Sequence, residues 1–215
     1  RQEYEKLFSV NHLLDIKGMR NVNYENFYRN LDEMLPQYDL VVVCDYGHGL
    51  LNMKSIRKIE KGAKILAVNC QTNSSNHGMN VITKYHRADA FVVDEPELRL
   101  PFGQSLLETP TLLGKLKAQL KSEYAWVTVG AHGALGKCGD EEAKIPAVTL
   151  HVKDTVGAGD AFYALASLCA ANKLPIDIAT LLSNVAGAIK TNLIGNSKPV
   201  AKVDLLKFLN TVLNV

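Results

Sequence analysis

The chain has 215 residues, of which 47% are hydrophobic, and its formal charge is only +2. Acids and bases are interspersed, which excludes a broad basic face for nucleic acid or anionic lipid. No apolar run approaches the roughly 20 residues needed to cross a bilayer, and the first residues lack a signal-peptide layout. We therefore expect a soluble cytoplasmic protein with one substantial core, most simply a single domain.

The four cysteines, Cys44, Cys70, Cys138 and Cys169, are far apart and show no paired metal-ligand spacing. The six histidines likewise form no zinc pattern. We expect reduced thiols. Cys44 and Cys169 lie in apolar segments, where a free cysteine behaves as a small buried hydrophobic residue.

The first predicted elements alternate between strands and helices. Residues 6–12 could form a strand, and apolar side chains at helical spacing predict a helix over Tyr24–Leu35, which Pro36 ends. Leu40–Cys44 is a continuous β-favouring run, typical of a parallel strand covered on both faces.

Asp45 follows this strand and opens the loop Asp-Tyr-Gly-His-Gly. Ligands of open α/β sheets bind beyond the carboxyl ends of the strands, so Asp45 is a candidate for a substrate hydroxyl or a metal-linked water. The alternative is a turn, or a cap of the helix predicted over Met53–Glu60. A lone histidine such as His48 is more typical of a loop than of a catalyst.

The next strand is predicted over Lys64–Val68, and the polar stretch Asn69–Gly78 follows it. The amides and hydroxyls of this stretch could form a hydrogen-bonding wall that includes Asn69 as a substrate-binding residue. The same composition is also that of an ordinary surface loop.

A further strand, Ala90–Val93, leads into Asp-Glu-Pro-Glu. Carboxylates suit a hard cation such as Mg²⁺, directly or through water, so Asp94 and Glu97 are candidate metal ligands. The alternative is the acidic first turn of a helix over Glu95–Leu100, with proline near its start.

The middle of the chain predicts an amphipathic helix over Thr111–Leu120 and a strand over Tyr124–Val129. The strand meets Gly-Ala-His-Gly at 130–133, a pattern that alone predicts only a tight β-hairpin. A turn over Gly139–Glu142 separates further short strands.

A phosphate loop is predicted at Lys153–Asp160, after a strand-like segment over Val148–Val152. Its two glycines can adopt backbone angles closed to other residues, so several N–H groups can point inward where a helix begins. The helix N-terminus adds its own N–H groups and dipole, which favour phosphate. Asp160, in the first helical turn, could accept a hydrogen bond from an alcohol and take its proton. The alternative is a glycine loop that only caps a buried helix.

Two more helices are predicted, over Asp177–Lys190 and Lys202–Leu213. An apolar stripe of the last helix could bind a partner or a membrane, but more simply covers the sheet. The stripe consists of Val203, Leu206, Leu209, Val212 and Leu213. Alternating strands and helices with a late phosphate loop predict a three-layer α/β domain with a mostly parallel central sheet.

The run Asp-Thr-Val-Gly-Ala-Gly-Asp-Ala-Phe at 154–162 resembles, nearly letter for letter, the C-terminal signature of the ribokinase-like (PfkB) carbohydrate kinases. The resemblance extends from about Asp39 to the C-terminus. It implies an ATP-dependent and Mg²⁺-dependent kinase for a sugar or sugar phosphate, with Asp160 as the catalytic base and the backbone of Gly157, Ala158 and Gly159 as the anion hole. It leaves open a monovalent cation, and a homodimer, since sugar kinases often pair through their lids.

The resemblance also implies roles for other residues. The segment Asp94 to Glu97 looks like the family's Asn-x-x-Glu motif, which helps organise magnesium and phosphate, with aspartate in place of asparagine. The expected nucleotide-binding residues are Thr128, Gly130 and Gly133 of a Thr-x-Gly-x-x-Gly turn, Asp154 and Thr155 of the signature, and Asn184 by analogy with related kinases.

The segment from Asp45 to Leu51 looks like the Asp-Tyr-Gly-Lys-Gly segment of bacterial heptose-7-phosphate kinases, a subgroup of the same family. His48 stands where the subgroup has lysine and cannot replace a constant positive charge. The subgroup's Asp-Pro-Lys-Gly signature near Asn69 is absent as well. Both differences concern the substrate and not the fold.

Such kinases normally begin with a sugar-gripping glycine segment and a small β-lid, and residues 1–12 look like the return from that lid. We therefore expect residues 1–215 to form one ribokinase-like domain, the C-terminal part of a longer kinase domain. Without a lid we expect weak activity or none. The second hypothesis is a non-catalytic module that binds a nucleotide or sugar and serves an adjoining enzyme.

Overall fold

The structure is a computed structural model that describes residues 22–72, 78–103, 106–148, 152–195 and 197–213. Within these ranges the chain forms a mostly parallel sheet of six strands, ordered β1-β2-β3-β4-β5-β6, together with seven α-helices. The predicted α/β class with a mostly parallel sheet is confirmed. The chain divides into two compact units, and the boundary lies between Ala125 and Trp126.

The first unit comprises the described residues up to Ala125. Its elements are α1 (Tyr24–Met34), β1 (Leu40–Asp45), α2 (Met53–Gly62), β2 (Ile65–Cys70), β3 (Ala90–Asp94), α3 (Glu95–Arg99) and α4 (Thr109–Gln119). Strands β1, β2 and β3 are parallel. Asparagine side chains begin α1 and α2, where Asn23 and Asn52 accept hydrogen bonds from the N–H groups of Asn26 and Ser55.

Strand β1 is not covered on both faces, so that prediction is wrong. Val43 and Asp45 are buried, whereas Val42 and Cys44 are exposed. β1 is the first strand of the described sheet, and one of its faces lacks a covering layer among the described residues. Cys44 is therefore not the buried thiol that its apolar neighbours predicted, while Cys169 is buried as predicted.

The second unit begins at Trp126. Its elements are the last part of β4 (Tyr124–Thr128), β5 (Ala134–Cys138), β6 (Glu141–Ile145), α5 (Ala158–Ala171), α6 (Ile176–Thr191) and α7 (Lys202–Leu213). β5 and β6 are antiparallel. β4 and β5 are neighbours in the sheet, and the short connection between them contains a 3₁₀ turn over Gly130–His132.

The core of the second unit is organised around Trp126, which is fully buried. Its indole N–H donates to the hydroxyl of Thr180, 2.9 Å away on α6. Gly136 of β5 lies against the same pair, because a Cβ there would be 2.5 Å from the Thr180 oxygen and 2.7 Å from the indole nitrogen. A side chain at Gly136 would therefore separate β5 from α6.

Helix α7 lies against α6 and buries none of its residues completely. Val203, Leu206 and Leu213 of the predicted stripe are exposed. The half-buried apolar side chains are Leu205, Phe208, Leu209 and Val212, of which only Leu209 and Val212 belong to the predicted stripe. Their spacing of three, one and three residues is itself helical, so the sequence allowed two faces and packing selected one.

Some predicted elements lie outside the described residues. These are the strand over residues 6–12, residues 73–77 of the polar stretch, and residues 149–151 of the strand-like segment, whose ends Val148 and Val152 are not in a strand. In the part of the chain that the structure describes, no helix combines the length and apolarity required to span a membrane.

Candidate functional site

The phosphate loop ends where α5 begins. Gly157 precedes the helix with a φ of 79°, a left-handed conformation that L side chains rarely adopt. Ala158 and Gly159 form the start of the first turn, and Asp160 is its third residue, as predicted. The Asp160 side chain is exposed and does not point into the core. A helix of 14 residues thus begins beside an accessible carboxylate. The N–H of its first residue, Ala158, already donates to the carbonyl of Thr155 at 3.2 Å.

Asp154 holds the start of this loop. One carboxylate oxygen accepts the N–H of Val156 at 3.0 Å, and the other accepts the N–H of Gly195 at 2.7 Å. These two N–H groups, with the Lys190 ammonium as a smaller cause, lower the pKa of Asp154. The backbone N–H groups of Lys153 and Asp154 also both donate to the carbonyl of Thr191 at the end of α6. Asp154 therefore fixes the conformation of the loop by hydrogen bonds to backbone groups.

A cavity of about 370 Å³ lies beside the loop, entirely within the second unit. We call it the glycine cavity. Its lining includes seven of the residues predicted for the nucleotide or the anion hole, namely Thr128, Gly130, Gly133, Thr155, Ala158, Gly159 and Asn184. The volume is in the range of small-molecule sites. Thr128 and Asn184, which are 56 positions apart in the sequence, thus line the same cavity. Asp154, also predicted to bind the nucleotide, is not part of the lining.

Two of these residues are also needed to build the wall of the glycine cavity. The Asn184 amide donates to the carbonyls of Ile145 and Pro146, at 3.0 and 3.3 Å. At Gly133, with a φ of 93°, a Cβ would lie 2.1 Å from the carbonyl oxygen of Ile145. Asn184 and Gly133 therefore both pack against the backbone at the end of β6, which forms part of the cavity wall.

The sequence interpretation missed Gly187 and Phe162, which also line the glycine cavity. A Cβ at Gly187 would lie 3.4 Å from the carbonyl of Ala158, so a larger residue on α6 would press on the start of α5. A glycine in the middle of a long helix was the available signal, since glycine there is costly unless close packing requires it.

A second cavity, of about 820 Å³, borders Asp160 and Gly157. We call it the helix cavity. Its walls are the apolar face of α5 that begins at Ala161 and ends at Leu168, part of α6, and residues 198–202 with Leu205. The phosphate loop therefore contributes to two cavities, with Ala158 and Gly159 facing one and Asp160 the other. No sequence motif predicted this cavity.

In the first unit, Asp45 is 3% exposed and fully engaged with its own chain. One oxygen accepts the Tyr85 hydroxyl at 2.7 Å and lies 2.6 Å from the Lys84 ammonium. The other accepts the N–H of Gly47 at 3.0 Å. The predicted turn alternative is thus observed. Lys84 places beside Asp45 the constant positive charge that His48 was predicted not to supply.

Asn69, the other predicted substrate-binding residue, lies within β2 opposite Cys44. Its side-chain amide donates to the carbonyl of Val92 at 3.0 Å. Substrate binding by Asp45 and by Asn69 remains a prediction.

Asp94 and Glu97 form a capping box at the start of α3. Asp94 accepts the N–H of Glu97 at 2.7 Å, and Glu97 accepts the N–H groups of Asp94 at 3.0 Å and of Thr72 at 2.8 Å. The acidic-turn alternative is therefore confirmed. Burial raises the pKa of Glu97 to about 7 and also raises that of Asp94.

Among the described residues, no group of three or more His, Cys, Asp or Glu side chains could hold a metal ion. Asp94 and Glu97 form a pair of carboxylates, not a complete set of ligands. Since two carboxylates do not fill the six positions around Mg²⁺, a cation held by this pair would keep water molecules as its remaining ligands.

A sequence profile described as "pfkB family carbohydrate kinase" matches residues 9–202. The chain belongs to this family. The match includes the candidate residues of both units, and the predicted family is confirmed.

Curated relatives of this pfkB-family chain include the bifunctional protein HldE of Campylobacter jejuni, 30% identical over 188 residues, or 85% of the chain and 40% of the relative. HldE of Helicobacter hepaticus is 24% identical over 193 residues, or 87% and 39%. The chain thus spans about 40% of the length of the curated relatives it matches.

Solved structures show the same ribokinase-like fold. E. coli phosphofructokinase-2 in complex with potassium matches with a TM-score of 0.71 and 16% identity, covering 87% of this chain and 62% of that one. Thermotoga maritima ribokinase matches with a TM-score of 0.67 and 17% identity, covering 89% and 61%. At these identities the likeness establishes the fold alone.

Proposed function

We propose that this chain is the nucleotide-binding and phosphoryl-transfer part of an ATP-dependent kinase that phosphorylates a hydroxyl of a sugar or sugar phosphate. The observation that carries the proposal is the glycine cavity. Its lining brings together residues predicted to bind the nucleotide, from the turn after β4, the phosphate loop and α6. Membership of the pfkB family supplies the reaction class.

In the proposed reaction ATP binds in the glycine cavity, with a phosphate against the N–H groups at the start of α5. Those N–H groups and the helix dipole stabilise the charge of the transferred phosphoryl group. Asp160 accepts a hydrogen bond from the attacking hydroxyl, orients it, and takes its proton. The hydroxyl becomes acidic late in a loose transition state, so position matters more than a high pKa of the base.

Asp94 and Glu97 are the proposed Mg²⁺ ligands, and Mg²⁺ when bound would neutralise phosphate charge. The raised pKa of Glu97 means that the carboxylate ionises fully only above neutral pH or when a cation is present. On the substrate side, Asp45 and Asn69 remain the proposed contacts to the sugar. The proposed substrate stays a sugar or a sugar phosphate, because His48 replaces the lysine of the heptose-7-phosphate kinases. Lys84 is a cation of the first unit that lies beside Asp45.

The test is Asp160→Asn in the full-length protein, assayed for transfer from Mg·ATP to a panel of sugars and sugar phosphates. We expect phosphorylation to fall by about a thousandfold or more, since the variant loses proton transfer and hydroxyl positioning together, while ATP affinity stays within about twofold. The matched control is Asp177→Asn, an exposed aspartate in the first turn of α6. Retained turnover in Asp160→Asn would reject the assigned role.

The second candidate is a non-catalytic module that binds a nucleotide or sugar for an adjoining enzyme. The observation that favours it is that Asp45 and Glu97 are occupied by partners in their own chain. Nucleotide binding without a phosphorylated product from any sugar would support this candidate. A homodimer and a cytoplasmic location remain predictions.

A further inference from the structure

Lys190, at the penultimate position of α6, is only 6% exposed. Lysine reaches such burial almost only when its charge is paired. Its ammonium donates to the carbonyl of Val156 at 2.9 Å and to the carbonyl of Gly195. Val156 directly precedes Gly157, the left-handed residue of the phosphate loop, and Gly195 lies in the loop after α6.

The same two residues are held from their other side by Asp154. Their N–H groups donate to the Asp154 carboxylate, at 3.0 Å for Val156 and 2.7 Å for Gly195. Each residue therefore gives its N–H to a fixed negative charge and its carbonyl to a fixed positive charge. We call this arrangement of Asp154, Val156, Lys190 and Gly195 the loop clamp.

We propose that Lys190 is the built-in cation of the phosphate loop, a positioning residue whose ammonium stands where a free monovalent cation would otherwise be needed. The inference deepens the proposed function and rests on it. Backbone carbonyls are the ligands that hold K⁺ in proteins, and an ammonium group carries the same charge. Because the cation is covalently attached, the loop is ordered without recruiting an ion from solution.

Two features connect the loop clamp to the reaction. Fixing Val156 fixes the approach to Gly157, whose conformation aims the N–H groups at the start of α5. Lys190 also lines the helix cavity together with Asp160 and Gly157, so its positive charge lies in the same cavity as the proposed base. Lys198 and Lys202 line this cavity too. The matched control is therefore Lys207, an exposed lysine of α7 outside the lining of both cavities.

The experiment measures binding of the Mg²⁺ complex of a non-hydrolysable ATP analogue to the chain, in potassium chloride and in choline chloride of equal ionic strength. We expect wild-type affinity to change by less than about twofold between the salts. Lys190→Ala should bind about tenfold more weakly in choline, because a charged hydrogen-bonded group is lost, and ammonium or potassium should restore part of the affinity. Lys207→Met should behave as wild type in both salts.

Lys190→Arg keeps the positive charge and should retain most of the affinity. This variant tests the role of the charge if Lys190→Ala does not fold. A wild type that requires potassium would overturn the proposal. So would a Lys190→Ala variant that binds as wild type, or one whose loss no small cation relieves.

Hydrogen exchange separates failure of this proposal from failure of the proposed function. If the wild type binds no nucleotide in any salt, the nucleotide function fails, and exchange without ligand decides the role of Lys190. We expect the amides of Val156 and Gly195 to exchange about tenfold faster in Lys190→Ala than in Lys207→Met, and potassium to slow them in Lys190→Ala alone. Equal rates in the two variants would overturn the proposal.

Discussion

The acids of the first unit and those at the phosphate loop differ in what surrounds their carboxylates. Asp45 and Glu97 are buried and accept hydrogen bonds from their own chain. Asp160 is exposed at the edge of a cavity, and Asp154 is held by two backbone N–H groups that lower its pKa. The first pair is built mainly into the fold, whereas Asp160 is available to an outside group. Stability should therefore depend on the first pair and activity on Asp160.

The largest effect should distinguish two glycines of the same cavity. Gly133→Ala places a Cβ 2.1 Å from the Ile145 carbonyl at a φ of 93°, and we expect a loss of unfolding free energy of about 3–5 kcal/mol. Gly159→Ala meets nothing within 4 Å and should change stability by about 0.5 kcal/mol or less. Urea unfolding of both variants measures the difference. Equal losses would contradict the described wall of the glycine cavity.

The next effect is a pH dependence from Glu97, whose pKa is raised from 4.5 to about 7 in the folded chain. The folded state then binds more protons than the unfolded state between these values, so the contribution of Glu97 to stability is fully present below pH 4.5 and is lost as pH rises through 7. The component should reach about 2–3 kcal/mol. Urea unfolding across this pH range should show it in the wild type and not in Glu97→Gln. If Mg²⁺ binds here, it should shift the component to lower pH.

A smaller effect separates Asp45 from Asp160. Asp45→Asn removes the charge beside Lys84 and disturbs the contact with Tyr85, and we expect a loss of about 2 kcal/mol in unfolding free energy. Lys84 is partly exposed, which limits the loss. Asp160→Asn should change stability by about 0.5 kcal/mol or less, since the residue is exposed. Thermal unfolding compares them, and a larger loss at Asp160 would reverse our comparison.

The smallest effect concerns the core of the second unit. Thr180→Val removes the acceptor of the buried Trp126 indole and should cost about 1 kcal/mol of unfolding free energy. Thr211→Val, whose hydroxyl is exposed on α7, serves as the control and should be nearly neutral. An indole that stays fully protected from exchange in Thr180→Val would show that it has another partner.

Local patterns predicted most element bounds closely. Helix α1 was predicted over Tyr24–Leu35 and is observed over Tyr24–Met34, and the helix predicted over Met53–Glu60 extends to Gly62. The phosphate loop was equally predictable from the sequence, because a left-handed glycine and a helix start depend on a few adjacent residues. Apolar periodicity and backbone sterics act over one or two turns, so a linear pattern records them.

The partners of the polar groups required the tertiary structure. The Asp45 contact with Tyr85 spans 40 positions, and the Glu97 contact with Thr72 spans 25. No local pattern distinguishes a carboxylate that will be paired from one that will remain accessible. The face of α7 that packs inward and the uncovered face of β1 depend in the same way on what lies against them.

For this protein, the sequence by itself determined the order of strands and helices, the pfkB signature and the position of Asp160 at a helix start, because each depends on short-range sterics and hydrogen bonding. Only the tertiary structure decided which distant residues share the glycine cavity and which charges neutralise each other. Those features depend on contacts between segments that are far apart in the chain. When such segments are buried together, their polar groups must form hydrogen bonds with one another.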